Sequence, residues 1–289
     1  MSTTSNGLKD FRDEIDTIDI RIHELLMQRA GIVRAIGEKK GATNIFPYQP
    51  AREAALLDQL LRRPAEPLGK RAVYSIWREI LAASTRLQGG VTLAVMKIEE
   101  DSFAYRLALQ HFGGNHDFAY FGSPTQVLEA VSAGERTIGF LMAGEEEDSW
   151  WHHLARPGDQ TPRVVARLPF LVPADRGTGE AVGFVVALGD TPASGNDRSL
   201  IVLDGVASAS RAAVHDAAAA CALGSVEHQV FAPTGVGERT PAVRMHLLHV
   251  DGYVTADDER LAKLAASFDE DDVTALRVGG YATPIELAD

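Results

Sequence analysis

The N-terminal segment from Leu8 to Lys40 carries a regular pattern of apolar positions. Apolar side chains recur at alternating steps of four and three residues, with one interruption after Leu25. They are Phe11, Ile15, Ile18, Ile22, Leu25, Ile32 and Ile36. The pattern predicts one long amphipathic helix with a seam like that of a coiled coil. Because a short neighbouring element could not cover a seam of this length, the pattern also predicts a dimer.

Prolines and glycines end this helix and separate two more. The segment GATNIFPYQP, residues 41–50, breaks the first helix. A second helix is predicted from about Gln49 to Arg63, and a third from about Leu68 to Leu87, before the glycine pair at 89 and 90. Residues 1–90 are therefore predicted to form an all-α domain of three helices.

After Gly90 the pattern changes to short strands that alternate with helices. Strands are predicted at VTLAVM, DFAYFG and TIGFLM, and helices at SFAYRLALQHFG and SPTQVLEAVSAG, the second of which is capped by Ser123. This βαβαβ order is typical of an α/β layer. The segments PRVVARLPFLV and AVGFVVAL add two strands, and a loop, PADRGTGE, lies between them. We assign residues 91–190 to a second, α/β domain.

Residues 191–289 have a different order of predicted strands and helices. Strand, helix, strand, strand, helix and strand are predicted in turn at SLIVLDG, SRAAVHDAAAACALG, SVEHQVFA, VRMHLLHVDGY, ADDERLAKLAASF and VTALRVGGY. The βαββαβ order is the signature of a ferredoxin-like α+β domain. The chain is therefore predicted to be multidomain, with an all-α, an α/β and an α+β part.

Charge and cysteine content narrow the classes of partner and compartment. Residues 1–88 hold 14 Lys and Arg against 11 Asp and Glu, whereas the whole chain holds 28 against 40 and has a net charge of −12. This balance argues against nucleic acid as a partner and favours a small anion as a ligand of the N-terminal part. A single cysteine, a polar N-terminus and the lack of a long apolar run predict a cytoplasmic protein with no membrane partner.

The seam of the first helix continues onto two cations, Arg29 and Lys40. An unpaired buried charge costs on the order of several kcal/mol, so each cation must meet an anion. One arginine alone would favour a structural salt bridge, to Glu53 or to Asp19 of a partner helix. Two cations near the same azimuth favour a pocket for a polyanion. Arg12 points about 100° away from them and could reach the pocket of a partner chain.

Residues 1–88 resemble the all-helical chorismate mutase family, whose members are intertwined dimers of three-helix chains. The resemblance rests on LKDFRDEIDTIDIRIHELLMQRAGIVRAIGEKKG, AREAALLDQL and WREILAASTRLQ. It implies conversion of chorismate to prephenate by Claisen rearrangement, a step in Phe and Tyr biosynthesis. This pericyclic step needs no metal and no cofactor. Its catalyst has to hold a dicarboxylate in a compact chair and stabilise charge on the breaking ether oxygen.

The resemblance also implies a role for individual side chains. Arg12 would be donated across the dimer, Arg29 and Arg52 would bind substrate within their own chain, Lys40 and Gln88 would donate to the ether oxygen, Glu53 would accept from the ring hydroxyl, and Ser84 would contact a carboxylate. Lys40, Gln88, Arg29 and Glu53 are the expected catalytic residues. Gln49 stands where the family often has an aspartate, and its amide is expected to bind the ring hydroxyl more weakly.

The rest of the chain resembles a bifunctional chorismate mutase–prephenate dehydratase, with departures in the dehydratase part. The glycine- and threonine-rich first loop of that family is replaced by KIEEDS, with Lys97, Glu100 and Asp101 near the positions of the glycines and threonine. The Thr-Arg-Phe catalytic motif corresponds to VGF at 182–184, and too little chain lies between 172 and 181 for a second lobe. Residues 91–190 are therefore expected to be a truncated, inactive dehydratase-like domain.

Residues 191–289 resemble an ACT domain with altered effector motifs. ASASRAAV stands where the family has a Gly-Ala-Leu motif, and HQVFAPT where it has a Glu-Ser-Arg-Pro motif. The ACT-like fold is expected to persist without phenylalanine binding. The histidine pairs His152/His153 and His246/His249 are predicted not to hold a metal, because the members of each pair point in different directions.

Two alternative functions remain at the level of the sequence. The mutase fold could serve as the dimeriser of a non-catalytic module that binds a regulator or a partner enzyme. An isochorismate pyruvate lyase has the same fold and is poorly separated from a mutase by sequence. The cations Arg12, Arg29, Lys40 and Arg52 favour an enzyme, because a dimeriser has little reason to keep buried positive charge.

Overall fold

The computed structural model describes residues 3–41, 48–96, 102–143, 149–156, 158–173, 182–206, 209–231, 244–270 and 272–287. These residues form two compact units. The first comprises Met1–Tyr48 and Ile80–Gly90, and the second comprises Gln49–Glu79 and Val91–Asp289. The third helix therefore contributes its C-terminal half to one unit and its N-terminal half to the other.

The three predicted helices are present. Helix α1 spans Thr3–Gly41, α2 spans Pro50–Leu61 and α3 spans Lys70–Leu87. The apolar seam of α1 is exposed in the single chain, where the exposed fraction of its side chains runs from 38% at Ile36 to 65% at Phe11. A helix that is this apolar along one face and this exposed requires a covering surface.

The first α/β elements also follow the prediction. They are β1 (Thr92–Met96), α4 (Phe103–Phe112), β2 (Asp117–Phe121), α5 (Pro124–Ser132) and β3 (Ile138–Met142). The strands are parallel, in the order β2-β1-β3. The Ser123 side chain accepts a hydrogen bond from the Gln126 amide, so the predicted N-cap of α5 is confirmed.

The two additional strand segments give three strands. They are β4 (Arg163–Leu168), β5 (Leu171–Pro173) and β6 (Gly183–Ala187). Strand β6 lies between β3 and β4 and is antiparallel to both. The predicted loop at 174–180 lies outside the residues that the structure describes.

The βαββαβ order predicted for the last part of the chain is confirmed. Its elements are β7 (Asp197–Asp204), α6 (Arg211–Ala220), β8 (Ser225–Phe231), β9 (Met245–Asp251), α7 (Glu259–Ala265) and β10 (Thr274–Ala282). The strands are antiparallel in the order β10-β7-β9-β8, which is the ferredoxin-like arrangement. The finer assignment to an ACT-like domain stays a prediction.

One nine-stranded sheet runs through both of these parts, in the order β2-β1-β3-β6-β4-β10-β7-β9-β8. The connection is a parallel pairing of β4 with β10, where Val164 lies opposite Gly279. Helix α2 packs against the same two strands. Residues 91–190 and 191–289 therefore share one sheet and lie in the same compact unit. Their division into two domains at about residue 190 stays a prediction. A short strand, β11 (Ile285–Leu287), pairs with β5 and was not predicted.

The two faces of this sheet bury separate apolar clusters. One cluster contains Trp150, Trp151, Phe184, Leu200 and Tyr281. The other lies under α6 and α7, and its members include Ile201, Leu203, Val214, Leu248 and Leu264. Residues on neighbouring positions of β7, such as 200 and 201, enter different clusters because side chains alternate along a strand. Among the described residues, no helix combines the length and apolar character needed to cross a membrane.

Candidate active site

Arg29 and Ser84 meet within the first compact unit. Arg29 is half-buried on α1, and its guanidinium donates a hydrogen bond of 2.5 Å to the Ser84 hydroxyl. That hydroxyl donates in turn to the Ile80 carbonyl, one turn earlier on α3, at 2.6 Å. Ser84 is 7% exposed. The hydroxyl therefore fixes one edge of the guanidinium, whose remaining donors suit a carboxylate.

Gln88 follows the last turn of α3, next to Ser84 in the same unit. Its side-chain amide donates to the Ser84 carbonyl at 3.2 Å. Gly37 of α1 lies against the Gln88 backbone, and a Cβ on Gly37 would be 2.8 Å from the Gln88 Cα. Real Cβ contacts are longer than this, so only glycine permits the two helices to approach at this level. Gly37 was not predicted from the sequence to be part of the site.

Two further residues of the predicted site, Lys40 and Arg12, lie on α1. Lys40 lies within α1, and its side chain is outside the described residues. Arg12 is exposed. At about 1.5 Å per residue, about 25 Å of helix axis separates Arg12 from Arg29. An arginine side chain cannot cover that distance along its own helix, so the two guanidiniums cannot contact one substrate molecule from the same chain.

Glu53 is buried in the second compact unit, where it forms an ion pair that the sequence did not predict. Its carboxylate accepts a hydrogen bond of 2.7 Å from Arg78 of α3, and the two side chains are 8% and 4% exposed. The neighbouring Arg52 is exposed, and Gln49 is half-buried just before the start of α2. The adjacent residues Arg52 and Glu53 thus differ in burial, since Arg52 is exposed to solvent and Glu53 is buried.

A signal for Arg78 was present in the sequence. Tyr74, Arg78, Leu81 and Thr85 recur at steps of four, three and four, and all of them are buried. Arg29 was predicted in the same way, as a cation that interrupts a stripe of apolar positions along a helix. Burial raises the pKa of the Tyr74 hydroxyl, and the charge of Arg78 acts in the opposite direction.

Arg78 also reaches the α/β elements. Its guanidinium donates a second hydrogen bond, of 2.6 Å, to the carbonyl of His111 in the last turn of α4. The Phe170 ring lies with its centroid 5.7 Å from the guanidinium carbon. The His111 imidazole is fully buried, and this burial, followed by the charge of Arg78, holds its pKa well below the ordinary value. An uncharged imidazole therefore lies beside the arginine at neutral pH.

Only some of the positions that were compared with the dehydratase family are described. Residues 97–101, which include Lys97, Glu100 and Asp101, lie outside the described residues. Gly183 and Phe184 lie in β6, and Phe184 is buried in the core. A Cβ on Gly183 would lie 2.1 Å from a Phe140 ring carbon, so the fold leaves no space for an arginine side chain at the motif position.

A second polar cluster lies on the sheet face that carries Tyr281. The His249 ring nitrogen Nδ1 is 2.8 Å from the Tyr281 hydroxyl and 3.5 Å from the Glu227 carboxylate. Arg167 and Arg198 each lie 3.6 Å from the same carboxylate. Burial lowers the pKa of His249 to about 4 and raises that of Tyr281 to about 12. The sequence did not predict this cluster.

Side chains that could bind a metal ion are not grouped together in the described part of the chain. Within the described ranges, no group of three or more His, Cys, Asp or Glu side chains could hold a metal ion. His246 and His249 lie on opposite faces of β9, as predicted. The His246 ring instead contacts His228, with 2.9 Å between ring nitrogens. The prediction that His152 and His153 point in different directions is wrong, because their ring centroids are 4.0 Å apart.

The N-terminal part of the chain matches a family of known proteins. Residues 11–89 match the model of the family Chorismate mutase type II. The matched region contains every site residue from Arg12 to Gln88. The N-terminal part of the chain is therefore similar in sequence to chorismate mutases, as predicted.

Curated proteins similar to the chain are named bifunctional chorismate mutase/prephenate dehydratase. The chain is 34% identical to the one from Aquifex aeolicus over 110 residues, which cover 37% of this chain and 30% of that protein. It is 34% identical to the one from Neisseria gonorrhoeae over 102 residues, which cover 35% and 27%. The relative from Pseudomonas aeruginosa is 28% identical over 152 residues, which cover 50% and 41%. The chain thus spans less than half the length of these relatives.

Two solved structures resemble the chain distantly. A prephenate dehydratase from Streptococcus mutans superimposes with a TM-score of 0.43 and 11% identity, covering 67% of this chain and 100% of that one. A prephenate dehydratase from Staphylococcus aureus superimposes with a TM-score of 0.48 and 11% identity, covering 66% and 99%.

Proposed function

We propose that this protein is a chorismate mutase, an isomerase that converts chorismate to prephenate in the biosynthesis of Phe and Tyr. The observation that carries the proposal is the match of residues 11–89 to the mutase family. It is supported by the arginine that α1 presents at a buried serine of α3. A structural dimeriser has no need of this half-buried cation.

The proposed chemistry depends on positioning and on charge. Arg29 and Arg52 would bind the two substrate carboxylates, because a guanidinium offers paired donors that match a carboxylate. Fixing both carboxylates would bring the reacting carbons into near-attack geometry. Lys40 and Gln88 would donate to the ether oxygen, where negative charge grows as the C–O bond breaks. Glu53, with Gln49 nearby in sequence, would accept from the ring hydroxyl, and Ser84 would support a carboxylate and Arg29.

The proposed enzyme is a homodimer with sites shared between chains. The exposed apolar seam of α1 supports a second copy as its cover, because the seam is long and its residues repeat with coiled-coil spacing. The axial separation of about 25 Å between Arg12 and Arg29 supports donation of Arg12 to the site of the partner.

Residues 91–289 are proposed to lack catalytic activity. The support is the absence of space for a side chain at Gly183, where the dehydratase family has its motif arginine. They are further proposed to hold a truncated dehydratase-like domain at 91–190 and an ACT-like domain at 191–289. The antiparallel β10-β7-β9-β8 order supports the second of these assignments.

The test is product identity after the full chain is incubated with chorismate, and separately with isochorismate. We expect prephenate from chorismate, formed in proportion to enzyme and without added metal or cofactor. Pyruvate from isochorismate, without prephenate from chorismate, would replace the mutase by a lyase. No turnover of either compound would overturn the enzyme and leave a binding module.

A further inference from the structure

Helices rarely pack against each other through a buried ion pair unless the pair has a function. The Arg78–Glu53 pair is almost fully removed from solvent. Desolvation of two charges offsets much of their attraction, and apolar residues of similar volume usually stabilise such a site at least as well. The pair therefore contributes little net stability, and a role in orienting one of its members is the more economical explanation.

The guanidinium of Arg78 is held on three sides. One nitrogen donates to Glu53 of α2, and another donates to the His111 carbonyl of α4. Carbonyls in the last turn of a helix have no intrahelical partner and carry partial negative charge, so the second contact suits a cation. Phe170, just after β4, contributes its ring face. Because the guanidinium is planar, these contacts fix its orientation as well as its position.

This geometry sets the orientation of the Glu53 carboxylate. A glutamate without an ion-pair partner can exchange between several rotamers, and fixing one of them costs conformational entropy when substrate binds. The Arg78 hydrogen bond removes that freedom before substrate arrives. His111 and Phe170, which both contact Arg78, lie beyond residues 11–89, the helical segment matched by the mutase family.

We propose that Arg78 is a positioning residue that holds the Glu53 carboxylate for the substrate hydroxyl, and that His111 and Phe170 make the α/β part of the chain a structural support of the mutase site. The proposal rests on the proposed function, in which Glu53 binds the ring hydroxyl of chorismate. Residues 91–289, which are proposed to have no catalytic activity, would then have a structural role in substrate binding. It also predicts that the substrate affinity of the helical segment depends on residues outside it.

The test is steady-state kinetics of the full-length protein with chorismate. Arg78→Met keeps the length of the side chain and removes its donors. It is expected to raise KM roughly tenfold while kcat changes by less than about threefold, because the hydroxyl contact exists in both the ground state and the transition state. Arg78→Lys retains a charge and is expected to give an intermediate KM. Phe170→Leu should shift KM in the same direction by a smaller factor.

A double-mutant cycle separates positioning from general structural damage. In the Glu53→Gln background, Arg78→Met should have little further effect on KM, because its target is already altered. An equal effect in both backgrounds would overturn the proposal, as would a wild-type KM in both Arg78 variants. If Arg78→Met does not fold, the same comparison with Arg78→Lys decides the question.

Arg277→Met is the matched control. Arg277 is 5% exposed, lies in the same compact unit and is paired with the Asp190 carboxylate, so its replacement also removes a buried cation from an ion pair. It is expected to lower stability and leave KM unchanged. A KM shift equal to that of Arg78→Met would show that loss of any buried arginine produces the effect. Wild-type protein that forms no prephenate overturns the proposed function, whereas active wild type with unresponsive Arg78 variants overturns only the positioning role.

Discussion

Gly37 of α1 lies so close to Gln88 that a single added methyl group would come within 2.8 Å of the Gln88 Cα. The contact joins the last turns of the first helix to the end of the third, beside the residues proposed to act on the ether oxygen. The contact fixes the Gln88 backbone, and the Ser84 carbonyl holds the Gln88 side-chain amide, which favours preorganised stabilisation of growing charge.

Gly37→Ala is expected to lower both stability and turnover. The added methyl group displaces the Gln88 backbone, and overpacking of this kind costs about 1–3 kcal/mol. Movement of Gln88 should reduce kcat about tenfold, since small misplacements at a reacting centre are costly. Urea unfolding and chorismate kinetics measure the two effects.

Gly31→Ala on the same helix is the control for that experiment. Nothing lies within 4 Å of a Cβ built on Gly31. Alanine should therefore leave turnover unchanged and stabilise α1 by up to about 1 kcal/mol through helix propensity. Equal kinetic losses in the two variants would mean that the Gly37–Gln88 contact has no special role.

Lys40→Ala is expected to lower kcat much more than it raises KM. The proposed target of the ammonium is charge that is largest in the transition state, so the loss appears in the chemical step. Removal of one oxyanion donor costs on the order of 3 kcal/mol, or about a hundredfold in kcat. Near wild-type turnover of this variant would remove Lys40 from the mechanism.

Arg12→Ala and Arg29→Ala are each expected to be nearly inactive as homodimers and to complement one another. A heterodimer has one site with both lesions and one with neither. With random pairing, half the dimers are mixed, so refolding an equal mixture should restore roughly a quarter of wild-type activity. If heterodimers form and the mixture stays inactive, Arg12 serves its own chain and the shared-site proposal is wrong.

The full chain is expected to form no phenylpyruvate from prephenate at neutral pH. The motif position at Gly183 faces the Phe140 ring, and no side chain fits there. For the same reason, introducing Val182→Thr and Gly183→Arg together should destabilise the protein and not restore dehydratase activity. Enzyme-dependent phenylpyruvate above the spontaneous rate would contradict the assignment of residues 91–190 as inactive.

Stability is expected to fall as the pH is lowered from about 6.5 to about 4. Burial holds the pKa of His249 at about 4, below the 6.5 of a free histidine. Between these values the unfolded chain binds more protons than the folded one, so the free energy of unfolding rises with pH. Each such histidine contributes at most about 1.4 kcal/mol per pH unit.

Urea unfolding followed by tryptophan fluorescence across this pH range measures the slope, because Trp150 and Trp151 lie in the core beside the cluster. His249→Gln should reduce the slope, and the remainder should come in part from His228, whose pKa burial also lowers to about 4. An unchanged slope in His249→Gln would contradict the assignment.

Local periodicity was enough to predict nearly every helix and strand. Most elements from α1 to β10 have a helical period, an alternating pattern or a short apolar run, and many of their ends carry proline, glycine or a capping serine. Strand β11, with the sequence IEL, was missed because it forms neither a period nor an apolar run. The cation at Arg29 was found because it interrupts an apolar stripe, and Arg78 interrupts a stripe in the same way.

The sequence by itself determined the secondary structure, the three helices of the mutase segment and the residue types of its proposed site, because these depend on the spacing of neighbours along the chain. Only the tertiary structure decided that Glu53 pairs with Arg78, that β4 joins β10 in one nine-stranded sheet, and that no side chain fits at Gly183. Each of these contacts joins residues far apart in the sequence. Its formation depends on how whole elements pack, and a local pattern carries no information about which distant surface a residue meets.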